Sequence, residues 1–485
     1  EYRSWKGQLF KRCDVGVVNI DDENTAALLE GHTCKLVTYG RDEKADYRET
    51  GYKLLRTHDF LGVAFHVTGK DEMDVKVNMP GEFSVYNALA ALAVGKVLGL
   101  PDAAIHDGLG KCVVKGRVEL VPISKKFTIL LDYAHNEVST ESLLTTLRAY
   151  KPHRLVVVFG CGGNRSKLRR YGMGEICAKM ADFSIVTEDN NRFEKVEDII
   201  ADIGDCDAII VRTAKITEKI LDAAPKLKIL ARYGAGYDGV DLKAARKHGV
   251  LVCTAGGANA ISVAELTIFY MLYCSRNFKK VQSLYLEDYR QAKMGVPKTE
   301  LEGKTLGLVG LGNIGKLVAK KAALGFDMTV LAYDPFAKKE GLPDYIQLVE
   351  DRDEIFTKSD YVSLHVPATP ETVHSISDRE FGLMKETAYL INAARGSIVD
   401  EPALIRALQA GKIAGAGLDT LEKEPIDPSN PLVSMDNVLT APHIGGATKE
   451  ASSRSSVACA QAIDDYFSGR TPKFVVPELR DLIQK

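Results

Sequence analysis

The chain has 485 residues, 45% of them apolar and 26% charged, with a formal net charge of -2. At roughly 150 residues per domain this length predicts three or more domains, and the composition is that of ordinary soluble protein. The near-balanced charge gives no electrostatic reason to expect nucleic acid or an anionic membrane as a partner. Nine cysteines are scattered, without a CxxC pair or a Cys/His cluster at metal-ligand spacing. They read as free thiols of a cytoplasmic protein, and no metal site is expected. Charged residues such as Lys96 and Glu265 interrupt the apolar stretches, so no membrane span is predicted. No signal peptide is read. The chain opens at Glu1 inside a helical pattern rather than at Met, which reads as an incomplete start.

In chain order, residues 2–10 have helical character and residues 14–19 read as a strand, followed by Asp21 and Asp22. The stretch MPGEFSVYN at 79–87 leads into an Ala/Leu-rich helix that runs to Leu98. The GRVE of 116–119 marks a boundary. Residues 127–131 are a strand that delivers DYAHN. Residues 154–159 are another, opening into FGCGGNR, and residues 183–187 a third, ending in TEDNNRFE. Short apolar runs of this kind suit buried strands.

These four motifs, in this order, resemble the Mur ligases, closest to the UDP-N-acetylmuramoyl-tripeptide synthetases. The resemblance implies α/β ligase fragments, with residues 1–114 part of the central ATPase domain and residues 115–203 part of the C-terminal domain. In that family ATP activates a carboxylate as an acyl phosphate, which an amino acid attacks. By resemblance, Lys6 matches a carbamoylated lysine that supports magnesium, and Asn87 a nucleotide-contacting asparagine. Arg117, Asp132, His135 and Arg165 match positions lining the ATP and glutamyl end of the cleft. Residues 189–192 match the box that grips the incoming diamino acid, with Asn191 in place of its proline. Asn164 and Ser166 replace two aspartates of the family's GGDRD. Residues 1–203 contain no GxxGKT loop, no domain for the UDP-sugar and no GKGHE segment. Phosphoryl transfer depends on positioning and charge neutralisation, so no ligase activity is expected of this half.

Residues 196–203 read as a helix, and the join between two different sequence patterns falls near Ile203. The strand at 183–187 with that helix is expected to serve as the first strand–helix unit of the next domain. Strands follow at 208–211, 227–231 and 250–254, with a helix at 216–224. The second of these strands leads to Arg232 and the loop of Gly234, Ala235 and Gly236. ANAISVAE at 258–265 opens a long apolar helix to about Cys274. Later landmarks are His365-Val366-Pro367, residues 390–396, residues 415–420, Glu424-Pro425 and PHIGG at 442–446. A final helix at 455–467 is expected to return to the first sheet.

Between them lies KTLGLVGLGNIGKLVAKKAALGFDMTVLAYD, residues 304–334. It reads as strand, glycine loop, helix, strand and acid, the required context of a dinucleotide-binding fingerprint. Gly310 allows the tight turn, Gly312 lets backbone approach a pyrophosphate, and Gly315 lets helix and strand pack closely. The helix N-terminus, with Asn313 and Ile314, faces the phosphates. Residues 310–316 also fit GxxxxGK, but a nucleotide-triphosphate loop needs Ser or Thr next, and Leu317 stands there. Asp334 would accept bonds from ribose hydroxyls and repel a 2′-phosphate, so NAD is expected over NADP.

From about Asp205 onward the motifs GAGYDGVD, GxGxxG, NAARGSIVDE, GAGLDTLEKEP and PHIGGAT resemble the D-isomer-specific 2-hydroxyacid dehydrogenases, in the branch of D-3-phosphoglycerate dehydrogenase. The resemblance implies two doubly wound parallel-sheet α/β domains. A Rossmann NAD domain, residues 259–442, is inserted in a flavodoxin-like substrate domain, residues 204–258 and 443–485. The active site lies in the cleft between them, and a homodimer forms through the NAD domain. His365, Val366, Pro367 and Ala393 fall on the cofactor side, and Asp419 matches the position that bonds the nicotinamide amide.

Oxidising a 2-hydroxy acid needs a base for the hydroxyl proton, a cation for the carboxylate and a hydride acceptor. An imidazole suits the base because it titrates near neutral pH, which points to His443. Glu424 would bond the other ring nitrogen, fixing the tautomer and stabilising the imidazolium. Arg395 can hold a carboxylate through two parallel bonds. The three match the family's His, Glu and Arg. The backbone of Gly234, Ala235 and Gly236 would also bind the carboxylate, with Asn259 positioning that loop. Arg232 and Lys215 could meet a substrate phosphate, and could equally face water. The expected function is NAD-dependent hydride transfer to or from a small D-2-hydroxy or 2-keto acid, such as 3-phosphoglycerate. The alternatives are a peptidoglycan-precursor ligase fragment and a non-catalytic NAD-binding chimera.

Overall fold

The structure, a computed structural model, describes residues 2–57, 60–122 and 126–484. The chain divides into two compact units, Glu1–Ile185 with Asp189–Cys206, and Val186–Glu188 with Asp207–Lys485.

The first unit opens on a five-stranded sheet of β1 (Val15–Asn19), β2 (Lys35–Gly40), β3 (Tyr47–Arg56), β4 (Leu61–Gly69) and β5 (Met73–Val77), in that spatial order. The first three strands are parallel and the last three antiparallel. Strand β4 alternates inward and outward, so Val63, Phe65 and Val67 meet Val85, Leu89 and Leu92 of the Phe83–Val97 helix in one core. Each such fully buried aliphatic side chain contributes about 1.5–3 kcal/mol by leaving water. The sequence reading named β1 and the helix but passed over β2 to β5, although their alternation of apolar and polar residues was the signal. A short hairpin of β6 (Glu119–Val121) and β7 (Ile129–Leu131) follows. The Glu137–Ala149 helix begins at a capping box of Asn136 and Ser139 and packs on the Lys167–Met180 helix. β8 (Val156–Phe159) and β9 (Phe183–Thr187) occupy the places the apolar runs predicted.

The end of β9, Val186–Glu188, belongs to the second unit. It neighbours β10 (Ala208–Val211) in the strand order that continues through β11 (Ile229–Arg232) to β12 (Leu251–Thr254). Glu188 accepts hydrogen bonds from the Thr213 amide and hydroxyl at 3.2 and 2.9 Å, which ties the end of β9 to the end of β10. The strand therefore takes the place expected of a first strand, whereas the Val196–Ile203 helix is counted with the first unit. The Lys449–Phe467 helix returns to pack on β11 and β12, and the chain end adds backbone bonds from Thr254 to Phe474 and from Val476 to Val252.

The larger sheet of this unit holds β13 (Thr305–Val309), β14 (Thr329–Tyr333), β15 (Ile346–Leu348), β16 (Tyr361–Leu364), β17 (Tyr389–Asn392), β18 (Gly415–Leu418) and β19 (Val438–Thr440). Its order is β15-β14-β13-β16-β17-β18-β19, all parallel. Successive residues of each strand go to opposite cores, Tyr361 to one face and Val362 to the other. That is why these strands read as unbroken apolar runs. The order reverses between β13 and β16, the switch point outside whose carboxyl strand ends sheets of this kind bind ligands. No helix among the described residues is long and apolar enough to cross a membrane.

Candidate active site

The glycine loop leaves β13 at this reversal. Gly310 has φ of +98°, and a Cβ there would lie 2.6 Å from the His365 carbonyl oxygen, so no other residue fits without a backbone shift. A Cβ at Gly315 would lie 2.3 Å from the Gly310 oxygen, which lets the Asn313–Phe326 helix start hard against the loop. A Cβ at Gly312 would meet nothing within 4 Å, so the loop faces open space on the side where a pyrophosphate would lie. Asp334, just past β14, accepts one backbone bond on each oxygen, from Leu311 at 2.8 Å and Phe336 at 2.9 Å. Each oxygen keeps a lone pair for a hydroxyl donor. Loop, helix terminus and acid thus fit a dinucleotide.

His365 follows β16, with Nε2 3.0 Å from the Ser363 hydroxyl and Nδ1 buried without a partner. Burial pushes its pKa down to about 4, so the ring is neutral near pH 7. Val366 lies against Gly310, and the Pro367 carbonyl accepts the Thr372 hydroxyl at 2.6 Å. Ala393, at the end of β17, is 8% exposed.

Arg395, also past β17, reaches the loop that follows β11. Its Nε donates to Asp238 Oδ2 at 3.0 Å and its Nη1 to the Ala394 carbonyl at 2.8 Å. A Cβ at Gly236 would lie 1.5 Å from Arg395 Nη2, so only glycine lets the guanidinium lie over that backbone. Gly234 is held by a bond from the Ala255 amide to its carbonyl, and Ala235 is exposed. Arg232 donates to the Tyr233 carbonyl at 2.6 Å. Its pKa is lowered first by burial and then by the Arg395 charge, with Asp238 opposing both.

His443 Nδ1 lies 3.0 Å from Glu424 Oε2, and both side chains are nearly half exposed. Glu424 Oε1 accepts the Leu421 amide at 3.2 Å. Burial raises the Glu424 pKa, but the bond to His443, its charge, the Leu421 amide and Arg395 outweigh that and hold the carboxyl below its ordinary value. The loop that carries His443 is built on Asp419, which is 1% exposed. Its carbonyl takes the His443 amide at 2.8 Å, and its carboxylate takes the Ile444 and Gly445 amides at 2.9 and 2.8 Å. Burial raises the Asp419 pKa, against those two bonds. Asp419 therefore does structural duty beneath the His443 loop, which its place in the sequence did not reveal. Asn259 sits at the start of the Ala260–Ser275 helix with its amide beside Gly446 and its Oδ1 buried without a partner.

Residues 268–445 match the family described as D-isomer specific 2-hydroxyacid dehydrogenase, NAD binding domain. A glyoxylate reductase of Thermofilum pendens is 40% identical over 286 residues, covering 58% of this chain and 84% of the relative. The chain belongs to the D-isomer-specific 2-hydroxyacid dehydrogenases. It carries this family's NAD-binding domain. A D-3-phosphoglycerate dehydrogenase of Methanocaldococcus jannaschii is 40% identical over 284 residues, 58% of this chain but 53% of the relative. The chain thus spans about half the length of the phosphoglycerate dehydrogenases it matches. The crystal structure of D-lactate dehydrogenase from Aquifex aeolicus, complexed with NAD and lactic acid, is 33% identical with a TM-score of 0.51, covering 56% of this chain and 85% of that one. Residues 1–95 match the Mur ligase middle domain and residues 116–246 the Mur ligase glutamate ligase domain, the latter running past the join read near Ile203.

Within this dehydrogenase half, sequence reading missed three side chains at the cleft. Asp238 lay inside GAGYDGVD, where only the glycines drew notice. Ser262 donates to the Gly445 carbonyl at 2.6 Å from within ANAISVAE. His374, which belongs to no motif, meets Glu422 of GAGLDTLEKEP at 2.7 Å.

Proposed function

We propose that the second unit is an NAD-dependent dehydrogenase interconverting a small D-2-hydroxy acid and its 2-keto acid. The observation that carries this is the His443–Glu424 contact of 3.0 Å, on the same cleft as Arg395 over the Gly236 backbone. NAD, when bound, supplies the hydride acceptor at C2. His443 takes the hydroxyl proton on Nε2, because Glu424 holds Nδ1–H and so fixes the tautomer. The carboxylate of Glu424 stabilises the imidazolium once the proton has moved. Arg395 binds the substrate carboxylate with the donors left on its guanidinium and polarises the C2 oxygen. Gly234 to Gly236 bring backbone amides close to the same carboxylate. Asp419 holds the His443 loop through backbone amides. Ser262 holds the loop through the Gly445 carbonyl, and Asn259 lies beside Gly446.

In this reading residues 259–442 form the NAD domain, and residues 204–258 with 443–485 the substrate domain. Arg232 and Lys215 favour a phosphorylated acid such as 3-phosphoglycerate. The assembly is a cytoplasmic homodimer through the NAD domain, and nine free thiols fit a reducing compartment. The first unit is read as support, with Asp132 and His135 of its motifs engaged by nearby backbone. Mixing the purified chain with NADH and 3-phosphohydroxypyruvate, hydroxypyruvate or glyoxylate tests the reading. Loss of NADH absorbance is expected with at least one of them. NADH binding by fluorescence without turnover on any would instead favour a non-catalytic NAD-binding chimera.

A further inference from the structure

Arg395, the residue read above as the carboxylate binder, already holds a carboxylate. Asp238 Oδ2 takes Arg395 Nε at 3.0 Å, with the two side chains 45% and 31% exposed. Asp238 sits on the loop after β11 and Arg395 on the loop after β17, so the pair spans the cleft between the two sheets of the second unit. Arg232 adds a second guanidinium to the same cluster, with Glu188 and Cys459 farther round it. A carboxylate paired with Arg395, within the field of the Arg232 charge, is the arrangement that a substrate carboxylate would itself complete.

We propose that Asp238 is an internal stand-in for the substrate carboxylate, occupying Arg395 until the acid displaces it. This rests on the reading of Arg395 as the carboxylate binder. Binding is then an exchange of one anion for another. A site that is competent only when Asp238 lets go shows an affinity reduced by that fraction. Asp238 acts through Arg395 and is a positioning residue, not a catalytic one. A part-exposed ion pair of this kind is worth little against water, so the competition is mild and reversible. Glycine at 236 is part of the device, because Arg395 swings between its two partners over that backbone.

The test uses the full chain and oxalate, a small carboxylate that resembles a 2-keto acid and does not react. Oxalate affinity is measured calorimetrically with and without NADH, for the wild type, Asp238→Asn and Asp238→Glu. Asp238→Asn is expected to bind oxalate about two- to fivefold tighter, the range a mild ion pair allows. Its KM for a 2-keto acid should fall by a similar factor, more than any change in kcat. Asp238→Glu should stay near the wild type. Unchanged or weaker oxalate binding in Asp238→Asn, or no oxalate binding by either protein, overturns the proposal. Tighter oxalate binding without turnover in any variant would uphold Asp238 while sinking the dehydrogenase reading. Turnover with an unchanged oxalate ratio would do the reverse.

Discussion

The two units carry motifs of equal sequence clarity and use them differently. In the second unit, residues separated by up to 157 positions converge: Asp238 on Arg395, Glu424 on His443, Asp419 under the His443 loop. In the first, several motif side chains turn to their own neighbourhood. Asp132 accepts the Val118 and Ala134 amides at 2.9 and 2.7 Å, His135 Nδ1 lies 2.9 Å from the Tyr133 carbonyl, and Arg117 lies over the Tyr133 ring. A buried charge of that unit is Arg170, 1% exposed, bound to Glu194 and Asp202 at 2.5 and 2.8 Å. It ties a helix to the 188–194 loop. A motif makes a site only when its groups point at a common space, and a motif whose groups point at their own chain makes a scaffold.

The largest expected effect breaks the comparison at its centre. His443→Ala should lower turnover by about 10²–10⁴-fold, the usual worth of a general base, while NADH still binds by fluorescence. Equal turnover would leave the second unit with no more chemistry than the first.

Gly236→Ala sharpens the same point without touching a reactive group. The new Cβ would collide with the end of the Arg395 side chain and press on Asp238 Oδ2 at 3.0 Å, both side-chain ends, so the fold should hold while the guanidinium is displaced. A fall in kcat/KM of about tenfold or more is expected, with an unchanged thermal unfolding profile.

Arg170→Met tests the scaffold. Removing the cation strands Glu194 and Asp202, and the first unit should lose about 3 kcal/mol, seen as a lower unfolding temperature and faster proteolysis within residues 1–185. His443→Ala should leave that transition where it is.

Acid separates the units more gently. The Arg170 bond, then the Asn164 amide, hold Glu194 at about 2 against an ordinary 4.5. A folded pKa below the unfolded one gives stability that is present above the unfolded value and lost as pH falls through the folded one. The first unit should therefore weaken between about pH 4.5 and 2. For His365 the fall from 6.5 to about 4 comes from burial, so the NAD lobe should lose stability over that higher window. Urea midpoints along a pH series, followed with NADH fluorescence for one unit and proteolysis for the other, would check the order.

The smallest effect concerns the cofactor. Asp334→Ala should relax the preference for NAD over NADP by about tenfold, one lost charge-assisted contact, and should loosen the glycine loop through the Leu311 amide.

Sequence alone determined the elements whose residues interact with near neighbours. The glycine loop, its helix and Asp334 span thirty-one consecutive residues, 304–334, and their roles follow from backbone sterics that any fold must obey. Apolar runs marked the parallel strands because those strands are buried on both faces. Arg395, Glu424 and His443 were legible as residue types suited to the reaction, in motifs that resemble a known family. Only the tertiary structure decided what those residues touch. Asp238 became the partner of Arg395 because β11 and β17 end at one cleft, which no local pattern encodes. Asp419 became the floor of the His443 loop because β18 stops beneath it. The strands β2 to β5 were missed for a related reason: half-buried strands carry only every second residue inward, a weaker signal than a continuous apolar run.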